Sequence, residues 1–260
     1  MGDNNRGGVV VQSIAKACMI LRCFESKTEM GISEIAHDMD MSKSTVYGLV
    51  NTLTIYGFLD QVDQSNKYRL GLKLFELGNL VQQRLDVRQE ARPWCQLLAE
   101  KYRTTVHLAT HSDGEIIYID KVSSSDSSIV IYSQVGKRAP MHCTGLGKTL
   151  LAYMPDDYLE QFIFSRPLEK FTKNTITSKD KLLEELKKVE KQAYAIDNEE
   201  IELGLICVSV PIFDSMPVPS IALSVSFHYG RFWEMDIEEV ARDVQYYGRQ
   251  ISEHMGYVKG

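Results

Sequence analysis

The sequence predicts an α+β protein: an N-terminal winged helix-turn-helix, a linker helix, and a larger C-terminal domain with an antiparallel sheet. Three helix-spaced segments followed by a hairpin occupy residues 12–70. Another helical pattern, 72–85, follows them, and strands then alternate with helices over residues 106–255. The length of 260 residues is enough for two such domains.

Composition excludes several classes of protein. The chain is 44% hydrophobic and 25% charged, as globular proteins are, and no apolar run approaches the ~18 residues of a membrane span. The polar segment 1–8 lacks the apolar core of a secretory signal, so we expect a cytoplasmic protein. Five cysteines without a CxxC pair favour reduced thiols over disulfides or zinc. We predict neither a metal nor a cofactor.

The first domain is predicted from helical spacing and turn chemistry. Apolar residues recur at helical spacing over 12–24 and 32–39, and a third helix runs from its N-cap Ser42 to Gly57. Segments 58–62 and 67–70 are predicted strands joined by a polar turn. This order is typical of a winged helix-turn-helix.

The remaining elements are predicted in the same way, with a strong hairpin signal at His111-Ser112-Asp113-Gly114. The predicted strands are 106–110, 116–122, 129–135, 206–213 and 221–227, and the predicted helices are 72–85, 87–102, one opening at Thr144, 156–164, 179–192 and 233–255. We divide the chain into a winged helix-turn-helix domain, 1–71, a linker helix, 72–86, and an α+β domain, 87–260.

The third helix is the candidate DNA reader, because the second helix of such a motif lies in the major groove. The net charge of −6 does not argue for nucleic acid, although residues 41–73 carry four basic against two acidic side chains. A three-helix unit with a polar face that never touches DNA is the alternative. The candidate DNA contacts are Ser13, Lys16, Ser42, Lys43, Ser44, Thr45, Tyr47, Asn51, Lys67 and Arg69.

Ordered motifs run through both halves of the chain. They include Val11-Gln12-Ser13, Ser44-Thr45-Val46-Tyr47, Gly57-Phe58-Leu59, Tyr68-Arg69-Leu70-Gly71, Pro140 to Lys148, and Ala193 to Glu200. In these motifs the sequence resembles the isocitrate-lyase-regulator (IclR) family of bacterial transcription factors. One winged helix reads only a few base pairs, so we expect at least a homodimer on a near-palindromic DNA operator. The resemblance implies a GAF-like effector domain and a dimer of dimers, that is, a homotetramer. The family usually carries Arg where this chain has Gly48.

The second half contains a candidate effector site. Thr144 caps a helix whose first N–H groups could bind an anion, and Gly145 allows close approach to the backbone. The resemblance implies small carboxylic or sugar-acid effectors, and segment 133–140 resembles the branch that responds to keto-deoxy sugar acids. It implies a pocket of Thr144, Gly145, Leu146, Asp197, Leu205, Cys207, Ser224 and Ser226.

Five of these residues also have a purely structural interpretation. Thr144 could be only a helix cap, Asp197 a turn residue, and Cys207 a small core side chain. Ser224 and Ser226 alternate on one strand, so both face one side, where they could be ordinary polar residues. As an effector ligand, Asp197 is expected to accept a hydrogen bond.

Catalysis is not predicted. The triplet Gly147-Lys148-Thr149 resembles the end of a phosphate loop but lacks the required glycine at position 142. Adjacent residues on an extended segment point apart, so His142 is not expected to activate Cys143. The predicted function is a sequence-specific DNA-binding transcriptional regulator without enzyme activity, whose operator affinity is controlled by a small carboxylic or sugar acid. Repression is favoured over activation, but the sequence does not decide between them. A cysteine-based redox sensor or enzyme, using Cys143 or Cys207, is the alternative.

Overall fold

Residue contacts divide the chain into two units, Met1–Leu85 and Asp86–Gly260, and each is described by itself. The computed structural model describes residues 9–63, 65–83, 86–126, 133–214 and 216–257, with the backbone alone for 81–83 and 86. None of the helices in these ranges combines the length and hydropathy needed to cross a bilayer.

The first unit contains the predicted tri-helical core. Ser42 caps its third helix by accepting a hydrogen bond from the backbone N–H of Thr45 at 3.3 Å. Asp40, at φ 50°, makes the tight turn before that cap. Ile20, Ile35, Val46 and Val50 are fully buried between the helices. The helices are α1 (Gln12–Cys23), α2 (Ile32–Asp38), α3 (Lys43–Ile55) and α4 (Leu72–Gln83).

The wing is a three-stranded sheet. Its strands are β1 (Met30–Gly31), β2 (Leu59–Gln61) and β3 (Lys67–Leu70), in the order β1-β3-β2. The sequence predicted a break over 26–31, so β1 is a correction. A strand of two residues is too short to show an alternating pattern in the sequence. Met30 joins the sheet by pairing with Tyr68.

The second unit is built on a six-stranded antiparallel sheet in the order β6-β5-β4-β9-β8-β7. The predicted α+β architecture is therefore confirmed. Asp113 and Gly114, at φ 54° and 82°, form the predicted hairpin turn between β4 and β5. The strands are β4 (Thr105–Ser112), β5 (Glu115–Ser123), β6 (Arg138–Pro140), β7 (Ala195–Asn198), β8 (Leu205–Ile212) and β9 (Ile221–His228).

Helices cover both faces of this sheet. Gly145 of helix α6 (Gly145–Leu151) approaches Ser209, whereas Gly248 of helix α10 (Ile237–His254) approaches Val210. Because adjacent strand residues face opposite sides, these two helices lie on opposite faces of the sheet. Helix α5 packs with α10. The helices are α5 (Asp86–Tyr102), α6 (Gly145–Leu151), α7 (Asp156–Tyr158) continuing as a π-helical turn (Leu159–Ile163), α8 (Lys179–Gln192), α9 (Tyr229–Phe232) and α10 (Ile237–His254).

Two predicted elements of the second unit need correction, and one observed strand is added. Residues 129–132 of the predicted strand 129–135 lie outside the described residues, and 133–135 are not strand. The last helix begins at Ile237, not at 233, because Asp236 accepts hydrogen bonds from two backbone N–H groups and caps it there. Strand β7 was not predicted as a strand.

Candidate functional site

The start of α6 is held against the sheet by its cap and its glycines. Thr144 accepts a hydrogen bond from the backbone N–H of Gly147 at 3.1 Å and donates one to the Pro140 carbonyl at 3.0 Å. A Cβ at Gly145 would lie 2.5 Å from Ser209 Oγ, and one at Gly147 would overlap the Met141 backbone. Both glycines are therefore needed for this close approach.

A small cavity lies between the start of α6 and the sheet. The space open to the centres of water molecules is about 30 Å³, room for about two waters. Its lining includes every residue of the predicted effector pocket, namely Thr144, Gly145, Leu146, Asp197, Leu205, Cys207, Ser224 and Ser226. Three further residues, His107, Tyr118 and Ile201, also line it.

Strand register explains why residues distant in sequence meet here. Asp197 lies opposite Cys207, and Cys207 lies opposite Ser226, so the three form a row across β7, β8 and β9. In the next row Ser224 lies opposite His107 of β4. Side chains directly opposite on neighbouring strands share a face, so both rows face the cavity.

Asp197 both forms a turn and faces the cavity. Its Oδ1 accepts a hydrogen bond from the Glu200 N–H at 2.8 Å, and the residue is 2% exposed. Burial raises the pKa of Asp197 to about 7, although the Glu200 N–H and the charge of Lys148 oppose this. Below pH 7 the carboxyl is therefore protonated and can donate a hydrogen bond, whereas the sequence led us to expect only an acceptor.

Lys148 lies buried behind the cavity. Its Nζ pairs with Glu200, donates to the Ile196 carbonyl at 2.7 Å, and lies 3.3 Å from Glu185 Oε1. With these acceptors around its amine, Lys148 holds α6 to the segment that carries Asp197. This is a structural use of the lysine that in the sequence resembled part of a phosphate loop.

The cysteine-based alternative finds little support in the geometry. Burial raises the pKa of the Cys143 and Cys207 thiols, and a reactive cysteine needs the opposite shift. His142 Nε2 bonds the Glu169 carbonyl at 2.9 Å instead of Cys143. Within the described ranges, no group of His, Cys, Asp and Glu could hold a metal ion.

The candidate DNA-reading residues of α3 form an exposed face. Tyr47 is 59% exposed, and Lys43, Ser44 and Asn51 are also exposed. Ser42 and Thr45 are exposed too, but their hydroxyls bond each other at 2.8 Å in the cap. They are therefore partly occupied by the fold itself.

The remaining DNA candidates lie on α1 and on the wing. Ser13 is exposed and borders an apolar groove between α1 and α3, and Lys16 is half-buried. Lys67 and Arg69 are exposed on β3. In the part of the chain that the structure describes, neither of these wing cations pairs with a carboxylate, which leaves both charges available to phosphates.

Gly48 is an open position on the exposed face of α3. A Cβ there would have no neighbour within 4 Å, so a long side chain would fit. The Thr52 hydroxyl bonds the Gly48 carbonyl at 2.8 Å. Packing therefore does not require a glycine at this exposed position.

Two family profiles cover both units. The profile of the IclR helix-turn-helix domain matches residues 13–63, and that of the bacterial transcriptional regulator IclR C-terminal domain matches residues 79–253. The chain belongs to the IclR family. It is therefore a transcriptional regulator with a helix-turn-helix DNA-binding domain and a C-terminal effector-binding domain.

Individual relatives match nearly the whole chain. It is 38% identical over 247 residues to the HTH-type transcriptional regulator KdgR of Escherichia coli (strain K12), covering 95% of this chain and 94% of the relative. The Thermotoga maritima IclR crystal structure matches at a TM-score of 0.74 and 34% identity, over 95% of this chain and 99% of that one.

A more distant structure shows the fold alone. It is an IclR homolog from Microbacterium hydrocarbonoxydans, solved in complex with 4-hydroxybenzoate, with a TM-score of 0.81 at 23% identity. The match covers 94% of this chain and 98% of that one.

Sequence reasoning missed three cavity residues of this IclR chain, namely His107, Tyr118 and Ile201. His107 and Tyr118 lie on strands that were predicted correctly, but nothing in those strands marked them as more than strand residues. For His107, the pairing partner would have done so, since His107 lies opposite Ser224. The missing information was the order of the strands.

Proposed function

We propose that this regulator is a repressor whose affinity for a near-palindromic operator is set by a small carboxylic or sugar acid bound in the α6 cavity. The observation that carries the proposal is the convergence of buried polar side chains there, Thr144, Asp197, Ser224 and Ser226. Ser224 is 1% exposed, and its hydroxyl bonds no other described residue. Buried polar groups are normally hydrogen-bonded, so a ligand with complementary groups would complete the site.

The chemistry of the lining supports an acid. The N–H groups of Gly145 and Leu146 belong to the first turn of α6, where they have no partner within the helix. The Microbacterium hydrocarbonoxydans homolog was solved with a hydroxylated aromatic acid. A cavity of about 30 Å³ has to widen for any such acid, so we propose that effector entry moves side chains.

We further propose that residues 1–71 bind DNA, that residues 72–86 link the two domains, and that residues 87–260 bind the effector. Lys43, Ser44, Tyr47 and Asn51 would face the major groove, with the wing against the phosphates. A gel shift with DNA flanking the protein's own gene, with and without candidate acids, tests the proposal. Retarded DNA that a small acid releases is the expected result.

A homodimer, or a dimer of dimers, follows from the DNA-binding proposal because one winged helix reads only a few base pairs. Within the first unit, α4 exposes apolar side chains that include Leu72 (73%), Phe75 (69%) and Leu80 (55%). Such a face favours pairing with a second copy. The measurement is analytical sedimentation with and without operator DNA. A protein that sediments as a monomer at micromolar concentration in both cases would contradict the proposed oligomer.

Replacing Arg69 with alanine is expected to weaken binding to all DNA sequences alike. One lost phosphate contact should reduce the slope of log affinity against log salt by about one. Lys170→Ala, which removes an exposed cation of the second unit, is the control and should leave the slope unchanged. An unchanged slope in Arg69→Ala would move the DNA contact away from the wing.

Replacing Ser224 with alanine is expected to weaken effector binding by about ten- to a hundred-fold, because a buried polar group of the acid loses its partner. Gly145→Val should prevent binding, since its side chain would push Ser209 and the start of α6 apart. The control is Ser220→Ala, an exposed serine just before β9. Calorimetry is the measurement, with pyruvate, glyoxylate, 2-keto-3-deoxygluconate and aromatic acids. If an acid that releases the operator bound both cavity variants as tightly as wild type, the effector site would lie elsewhere.

A further inference from the structure

Two ring side chains form the end of the cavity opposite β7. His107 of β4 and Tyr118 of β5 have ring centroids 5.3 Å apart, and both line the cavity. Asp197 lies at the other end of the sheet, on β7, with β8 and β9 between β7 and β4. An acid that contacts Asp197 with one end and spans the cavity therefore presents its other end to these two rings.

His107 is a neutral hydrogen-bonding group in this position. It is 3% exposed, and burial, followed by the nearby charge of Lys121, lowers its pKa to about 3. Its Nε2 lies 2.6 Å from Ser133 Oγ, which fixes the ring. The other ring nitrogen bonds no residue in the described ranges, so the imidazole has one donor or acceptor available to a ligand.

Tyr118 adds a hydroxyl beside that imidazole. Burial raises the pKa of the phenol, so it stays protonated and can both donate and accept. Within the described ranges the hydroxyl has no hydrogen-bond partner. An acid with an apolar tail would cover both groups without satisfying either, whereas a hydroxyl or keto group on the tail would bond them.

We propose that His107 and Tyr118 determine effector specificity by selecting acids with a hydroxyl or keto group remote from the carboxylate over acids of the same shape with an apolar tail. This inference rests on the proposed effector site. A site that hydrogen-bonds a ligand group discriminates strongly against the analogue lacking that group, because the protein's own polar atoms are then left unpaired.

Matched pairs of acids test this on the full chain. The probes are gluconate with hexanoate, and 4-hydroxybenzoate with benzoate, titrated by calorimetry into wild type, Tyr118→Phe, His107→Leu, His107→Asn and Ser224→Ala. Wild type should prefer the hydroxylated member of at least one pair by about ten-fold or more. Tyr118→Phe and His107→Leu should each lower that ratio about ten-fold by weakening the hydroxylated member alone, and His107→Asn should restore part of it. Tyr153→Phe, whose ring packs edge-on against Phe213 and does not line the cavity, should keep the wild-type ratio.

The outcomes separate this inference from the proposed function. If Ser224→Ala weakens binding while the ring variants keep the wild-type ratio, the specificity assignment is wrong and the effector site stands. If the acid that releases the operator binds both Ser224→Ala and Gly145→Val as tightly as wild type, the site itself is wrong. Equal binding of both members of each pair by wild type, or binding of neither, would also overturn the inference.

Discussion

Replacing Lys148 with methionine is expected to lower the free energy of unfolding by about 3–5 kcal/mol. Lys148 is 1% exposed and Glu200 is 4% exposed, so removing the amine would leave a buried carboxylate without its counter-charge. Glu200 Oε2 has no hydrogen-bond partner in the described residues, so this carboxylate depends strongly on the lysine. Urea unfolding followed by circular dichroism measures the loss.

The pH dependence identifies the cause of that loss. Burial raises the pKa of Glu200, so in Lys148→Met this carboxyl should take up a proton and the deficit should be smaller at pH 5 than at pH 8. Lys179→Met is the matched control, because Lys179 pairs with Glu160 at the exposed surface; exposed pairs contribute about 0–1 kcal/mol. A Lys148 variant no less stable than this control would show that the buried pair does not hold α6 in place.

Effector affinity is expected to be highest below pH 7 and to fall about ten-fold per pH unit above it. The pKa of Asp197 is raised to about 7, so below that pH the cavity is neutral at this residue and admits an anion. Above it, the ionised carboxylate repels a carboxylic acid that is itself ionised. Calorimetry in buffers of different ionisation enthalpy at pH 8 should therefore detect uptake of about one proton per bound acid.

Asp197→Asn is the decisive variant. It keeps an oxygen for the Glu200 N–H but cannot ionise, so its affinity for the acid should not change between pH 6 and pH 9. At pH 8 it should bind more tightly than wild type. A wild-type affinity that is equally independent of pH would contradict the assignment, as would a steep decline retained in the variant.

Stability provides a test of Asp197 that needs no effector. The folded-state pKa of about 7 lies above the unfolded value of about 3.9, so the folded state holds a proton that the unfolded state has released. The stabilisation of the folded state by this proton is fully present below pH 4 and is lost as the pH rises through 7. The loss is up to roughly 4 kcal/mol, and Asp197→Asn should not show it.

Local sequence signals were enough for most of the secondary structure. Ser42 caps α3 and Thr144 caps α6 as predicted, because a capping hydroxyl acts on N–H groups only three residues away. The failures have local causes too. Strand β1 is too short for a periodic pattern, and α10 starts four residues later than its apolar spacing suggested because Asp236 provides a cap.

The sequence by itself also determined much of the candidate site, through motifs whose order resembles that of the IclR family. It could not provide the surroundings of those motifs. Three features depend on elements that come together from distant parts of the chain. His107 lies opposite Ser224, Tyr118 lines the cavity, and Lys148 pairs with Glu200.

Burial was also decided only by the tertiary structure, and with it the chemistry of the site. In sequence, Asp197 is an ordinary carboxylate in a turn, His107 an ordinary imidazole on a strand, and Lys148 a lysine after a glycine. Enclosure by α6 and the sheet removes the water that would stabilise their charged forms. It therefore leaves Asp197 able to carry a proton near neutral pH, keeps His107 neutral, and commits Lys148 to Glu200.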